Sequence, residues 1–314
     1  MEPERSSMPR RTLLKLSAAA AIGAMADGWR PLLANPVIGK HPIGIQLYTV
    51  MPLLSRDFEG TIKQIAAIGY KEVETIGSFG LDPGEVKTIF DRYGLSSPSQ
   101  HIASNELYSV FDKWVKRTIS IEERDAAFRK QFDFDRIEET IPAAIASAKA
   151  MGQKYVIWQS LDPQQVDTKA KVDRLIRVFD RAAEICRRSG TTFGFHNHTE
   201  EFAKVDRVSA YDRILAETDP ATLKMEMDFY WMKKGGLDSI TYLRRNPGRY
   251  RLCHMKDMDK RGNIVPAGSG EMITKELIDV ALQAGVEHFF VETDTSAVPL
   301  WPERNAYDYM QELF

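Results

Sequence analysis

Four short runs carry most of the side chains able to do chemistry. They are Phe195-His196-Asn197-His198 (followed by Thr199-Glu200-Glu201-Phe202), Glu226-Met227-Asp228-Phe229-Tyr230-Trp231, His254-Met255-Lys256-Asp257 and Val291-Glu292-Thr293-Asp294. In an extended chain, residues two apart share a face. His196 is thereby set with His198, Glu226 with Asp228, and His254 with Lys256. Buried ionisable groups are costly unless paired or bound to metal. Two imidazoles and two carboxylates converging from neighbouring strands would make a divalent-cation site. Mixed nitrogen and oxygen ligation suits manganese, zinc, iron or cobalt better than calcium. The same residues would also serve as a salt-bridge network, and residue type alone leaves both readings open.

The elements that position these runs alternate regularly. The strand candidates are Ile43–Tyr48, Glu72–Ile76, Ser97–Ile102, Tyr155–Gln159, Thr192–His198, Leu223–Phe229, Arg251–Lys256 and Phe289–Thr293. Between them, 3.6-residue apolar spacing predicts helices over Phe58–Ile68, Gly84–Tyr93, Ile137–Met151, Val172–Ser189 and Leu277–Ala284. Each is followed directly by glycine, which tolerates the left-handed conformation that ends a helix. Strands alternating with helices imply right-handed crossovers and a parallel sheet, and eight repeats close into an α/β fold of the (β/α)8 barrel type. An open doubly wound sheet would carry a glycine-rich turn after its first strand, but Thr49-Val50-Met51-Pro52 stands there. The barrel is expected over residues 40–314 as a single domain.

In such a barrel, catalytic groups lie at the C-terminal ends of the strands. Four of the six histidines (His101, His196, His198 and His254) fall there. The connection after the third strand, residues 103–135, is too long for a simple loop and carries Tyr108, Phe111, Trp114 and Phe128. A helical insert folded as a lid over the barrel mouth is the expectation.

The first residues read as an address. Pro9-Arg10-Arg11-Thr12-Leu13-Leu14-Lys15 precedes the uncharged, alanine-rich Leu16–Ala26. A basic region, a short apolar region and small residues at Ala24-Met25-Ala26 are the parts of a twin-arginine type signal over residues 1–26, with a linker at 27–39. The apolar stretch falls short of a membrane span, so an exported or periplasmic protein without a stable anchor is expected. Cys186 and Cys253 are no disulfide framework and read as buried small apolar side chains. The 314 residues carry a net charge of −2 with no long basic run. Nucleic-acid binding needs a concentrated basic footprint and is not expected.

From Ile43 to Phe314 the chain resembles the xylose-isomerase-like TIM barrel superfamily, in particular its sugar phosphate isomerase/epimerase group. Gly44-Ile45-Gln46-Leu47-Tyr48 is similar to that group's opening strand, and the four runs above to its later strand ends. The resemblance implies one divalent metal, manganese first and zinc, cobalt or iron as alternatives, held by His196, Asp228, His254 and Glu292. Ketose 3-epimerases of the superfamily have a glutamate where His196 stands and use it as half of an acid/base pair. Here Glu292 would take the proton α to a carbonyl. Lys256 would stabilise or protonate an oxygen, and His198 would serve as the second acid/base, with Glu201 behind it.

Gln46, Glu74, His101, Gln159, Glu201 and Trp231 are the expected substrate contacts. Pro266-Ala267-Gly268-Ser269-Gly270-Glu271 could cradle a phosphate through backbone amides, with Arg261 the one close cation, but reads better as a plain connection. The activity implied is isomerisation or epimerisation of a non-phosphorylated sugar or keto-sugar. Elimination or hydration on a keto-sugar or keto-glycoside is the alternative, and a non-catalytic sugar-binding protein comes third. The expected partner is a small carbohydrate, and a homodimer is permitted.

Overall fold

A computed structural model describes residues 41–293 and 300–314. The signal at 1–26, the linker at 27–39 and Asp294 lie outside the described residues.

Eight strands form one closed parallel barrel: β1 Gly44–Gln46, β2 Glu72–Ile76, β3 Ser96–His101, β4 Tyr155–Trp158, β5 Thr192–His196, β6 Leu223–Asp228, β7 Tyr250–Met255 and β8 His288–Val291. They run in order around the barrel, and β1 closes against β8. Almost every strand residue is buried, as expected where helices cover the outside and side chains fill the inside. The main helices are α1 Phe58–Ile68, α2 Pro83–Arg92, α3 Asn105–Val115, α4 Ile121–Gln131, α5 Ile137–Met151, α6 Lys169–Arg188, α7 Ala210–Glu217, α8 Phe229–Lys234, α9 Ser239–Arg245, α10 Lys275–Ala284 and α11 Trp301–Leu313. The glycine stops fall where expected, with Gly152 and Gly285 left-handed at the ends of α5 and α10.

Of the expected strands that end early, three do so for local reasons. The first ends at Gln46, because the Gln46 side chain accepts from the Tyr48 amide and turns Leu47–Val50 into a 3-10 helix. The fifth ends at His196. Asn197 instead bonds the Asp228 backbone in both directions, and the His198 amide donates to Glu201. His198 therefore lies outside the strand, with its ring 4.9 Å from that of His196. Phe229, expected in the sixth strand, opens α8, where Asp228 accepts from the Trp231 amide.

The segment after β3 is helical, as expected. Ser104 caps α3, and Ser120 caps α4 in a reciprocal box with Glu123. Their aromatic faces link to the barrel through ring contacts: Tyr48–Phe111 at 5.5 Å, Phe111–Phe128 at 5.1 Å and Phe132–Trp158 at 5.1 Å. Trp158 is wholly buried and packs against Phe132, Phe134 and Phe179. Cys186 and Cys253 are buried and free. Among the described residues no helix is long and apolar enough to cross a membrane.

Candidate active site

Strand alternation stacks the barrel interior in layers. Tyr155, Ile157, Leu252 and Phe290 form a small apolar cluster inside the barrel. Two residues further along β7 and β8 come His254 and Glu292, and polar side chains replace apolar ones toward the C-terminal ends. The register sets Asp228 beside His254, His196 beside Glu226, Gln46 beside Glu74, and Ile76 beside His101. These local pairings converge on one ring of polar groups.

His254 is the hub of that ring. Its Nε2 lies 2.6 Å from Glu74, its Nδ1 2.8 Å from Glu292, and both neighbours are buried. Glu74 is fixed in turn by Gln46 at 2.9 Å and Ser99 at 2.6 Å. Glu226 faces His101 at 2.7 Å and His196 at 3.0 Å. Lys256 reaches Glu292 at 2.9 Å and Asp228 at 3.4 Å. Above this ring opens a cavity of about 740 Å³. His101, His196, His198, Lys256 and Glu292 line its floor, and residues of α3 and α4 line its outer wall.

The family model described as xylose isomerase-like TIM barrel matches residues 62–313. The chain belongs to the xylose isomerase-like TIM barrel family. Within and around that family, the chain is similar to an inosose dehydratase of Geobacillus kaustophilus, 23% identical over 235 residues. That match covers 69% of this chain and 65% of the relative, so the chain spans just under two thirds of that relative's length. A sugar phosphate isomerase/epimerase from Parabacteroides distasonis superposes with a TM-score of 0.71 at 24% identity, over 87% of this chain and 98% of that one. The 3-keto-D-glucoside 4-epimerase of E. coli gives 0.60 at 16%, over 87% and 100%. At these identities the structural likeness establishes the barrel fold alone.

Within this xylose isomerase-like barrel, burial and charge sort the groups. Burial pushes the Glu292 carboxyl upward, but Lys256 and His254 outweigh it and hold Glu292 well below the usual carboxylate range. Asp228, more simply desolvated and beside Glu292, is raised. Burial opposes charge on His101, yet Glu74 and Glu226 raise it to about 9. The same two effects leave His254 well above its ordinary value, with Glu226 and Glu292 as its counterions. Burial lowers His196, reinforced by His254, and lowers His198 to about 3, reinforced by Lys256. At neutral pH His198 is a neutral imidazole beside a cationic lysine and an ionised Glu292.

Two groups of donors share His254: Asp228, His254 and Glu292; and His101, His196, Glu226 and His254. Within each group the donor atoms lie within 4.8 Å of one another. Glu226 Oε1 is buried and accepts no hydrogen bond, and Asp228 Oδ2 has no cationic partner nearer than Lys256 at 3.4 Å, so acceptor capacity is left over in both groups. Donor chemistry and orphaned oxygens fit a divalent cation. The structure therefore brings together three of the four expected ligands. His196 stands in the second group, with Glu226 as its partner.

The other expected site residues divide by depth. His101, Gln159, His198 and Trp231 line the cavity, and Gln159 donates to the Ile102 carbonyl while its own oxygen is unpartnered. Gln46 and Glu74 are wholly buried and are not among the cavity-lining residues; they hold His254 rather than face a substrate. Glu201 is likewise buried, accepts the His198 amide and is raised to about 8 by burial. The Gly268 and Gly270 amides donate to Asp257, so the Pro266–Glu271 turn has no such amides left for a phosphate. Sequence reasoning gave no role to Arg124, Asp125, Arg129, Asp162 and Gln165, all of which line the outer cavity. For Arg124, Asp125 and Arg129 the only signal was the length and aromatic content of the insert; Asp162 and Gln165, in the loop after β4, had none.

Proposed function

We propose that this protein removes the proton α to the carbonyl of a non-phosphorylated sugar or keto-sugar and returns it, acting as an isomerase or epimerase. The observation that carries the reading is Glu292. Of the cavity-lining carboxylates among the described residues it alone stands at a barrel strand end, with Lys256 2.9 Å away. A carboxylate held ionised within reach of a carbon acid is a general base. A divalent ion held by Asp228, His254 and Glu292 would polarise the carbonyl and stabilise charge on its oxygen.

In this reading Glu292 takes the proton from carbon, and Lys256 donates a hydrogen bond to the developing oxyanion. His198, neutral and beside Trp231 at 5.2 Å, positions a hydroxyl by accepting its hydrogen bond and does not deliver a proton. Return of the proton by Glu292 to the adjacent carbon gives isomerisation. A free sugar is the substrate expected of an exported enzyme, which is how residues 1–26 read.

Elimination is the second reading, favoured by one substitution and one relative. His196 stands where a two-base epimerase has glutamate, and the curated relative above is a dehydratase. After Glu292 takes the α proton, the β carbon–oxygen bond breaks and Lys256 protonates the departing oxygen. Proton NMR in D₂O on manganese-loaded protein, with chelated protein as control, tests both. Deuterium entry into an intact isomer supports the first reading, and an unsaturated product or released alcohol or water supports the second. No exchange on ketoses, aldoses and keto-glycosides overturns both.

A further inference from the structure

The cavity has two unlike halves. Its floor is the polar ring at the strand ends. Its outer half is built by α3, α4 and the Ser160–Gln165 loop, and it is apolar with a charged rim. Phe111 and Phe128 meet edge to face at 5.1 Å, and Phe111 packs against Tyr48 from the opening strand. The Arg124 guanidinium lies 4.3 Å over the Trp114 ring and pairs with Asp125. The two walls are tied together: Gln165 donates to the Phe132 carbonyl at 2.8 Å, and Arg129 lies 3.8 Å from Asp162. The outer half is therefore a preformed compartment joined at both sides.

A volume of about 740 Å³ is in the upper part of the range that encloses drug-sized ligands, well beyond one hexose ring. Catalysis uses remote binding energy to orient the reacting centre, and aromatic edges with a polar rim suit a ring that has one apolar face and peripheral hydroxyls. We propose that the outer compartment is a subsite for the second ring of a glycoside, so that the substrate is a glycoside of the keto-sugar rather than the free monosaccharide. Phe128 and Trp114 are its specificity-determining residues, and Arg129 contacts the ring's hydroxyls. This inference rests on the proton-transfer reading of the floor. The second ring is a sugar or an aryl group, both of which present a flat apolar face.

Calorimetric titration of the full protein with glucose, methyl β-D-glucoside, phenyl β-D-glucoside and cellobiose tests it without requiring turnover. Expected is affinity for the phenyl glucoside, the disaccharide or both that exceeds that for glucose and methyl glucoside by about tenfold, the scale of one aromatic contact. The ligand that gains identifies the second ring. The gain should shrink in Phe128→Ala and also in Arg129→Ala, whose exposed side chain can be removed without disturbing the helix core. Equal affinity across the four, no binding of any, or a gain kept in both variants overturns the subsite. Deuterium exchange on free keto-sugars reads the floor separately. Exchange there without a gain here removes only the subsite, and a gain here without any exchange removes only the proton-transfer reading.

Discussion

The Lys256 ammonium lies 2.9 Å from Glu292 Oε2, and both side chains are more than nine-tenths buried. A buried cation that close keeps the carboxylate ionised where burial alone would protonate it. Sequence spacing explains half of this contact, since Lys256 follows His254 by two residues, just past the end of β7. Parallel pairing of neighbouring strands supplies the other half by setting β8 beside β7.

Glu292→Gln should lower turnover by about a hundred- to ten-thousand-fold, the usual share of a general base. Far-ultraviolet circular dichroism should remain that of the parent. Retained turnover in a folded variant removes Glu292 from the role of base.

Lys256→Met leaves Glu292 with His254 as its one remaining cationic partner and takes from Asp228 its nearest cation. Breaking a buried pair on one side costs about 3–5 kcal/mol. Glu292 is depressed in the folded state, so its stabilisation is present above the ordinary carboxylate pKa and fades as pH falls below it. Urea midpoints of chelated parent and variant should differ at pH 7 and converge in acid. A constant difference across pH would mean that Lys256 contributes packing alone.

Glu201 gives the opposite slope. Burial raises it to about 8, so the folded protein holds a proton that the unfolded chain releases near the ordinary carboxylate value. Its protonation favours folding below that value, and the advantage is lost progressively as pH rises to about 8. Glu201→Gln keeps an oxygen for the His198 amide and removes the titration. The variant should gain stability over the parent between pH 6 and 9, read as a rising difference in urea midpoint; a flat difference would show that Glu201 does not titrate there.

Glu74→Gln tests the support of the ring. A carboxylate that orients a metal-binding histidine is worth about 10- to 100-fold in metal affinity. Manganese titration should show a loss on that scale, while Ser99→Ala, which removes only one contact to Glu74, should show a smaller one. Unaltered affinity in Glu74→Gln would separate His254 orientation from cation binding.

Asp257→Ala tests the turn that follows β7. One carboxylate accepts the amides of Met258, Gly268, Gly270 and Met272. Hydrogen bonds to a charged group are worth about 1.5–3 kcal/mol each, though shared acceptors are not additive. A stability loss of at least about 2 kcal/mol is expected, and a loss under half of that would show water replacing the carboxylate.

The residues divide what was legible from what was not. Chain-local patterns determined the barrel: apolar spacing in α1, α5 and α6, a glycine after each, and short β-rich runs whose polar residues cluster at one end. Alternation also placed Glu226 with Asp228 and His254 with Lys256, because a strand's two faces follow from its backbone alone. Only the tertiary structure decided which of these groups meet. His254 and Glu74 are 180 positions apart, and their contact depends on closure of the barrel, which no local period encodes. His198 left its strand because Asn197 found the Asp228 backbone across the sheet. Gln46 and Glu74 became supports for His254 because they lie one layer too deep to touch a ligand. The insert's length signalled a function, but the fold alone showed which of its side chains face the cavity, since that choice is made by packing against Tyr48, Trp158 and the loop after β4.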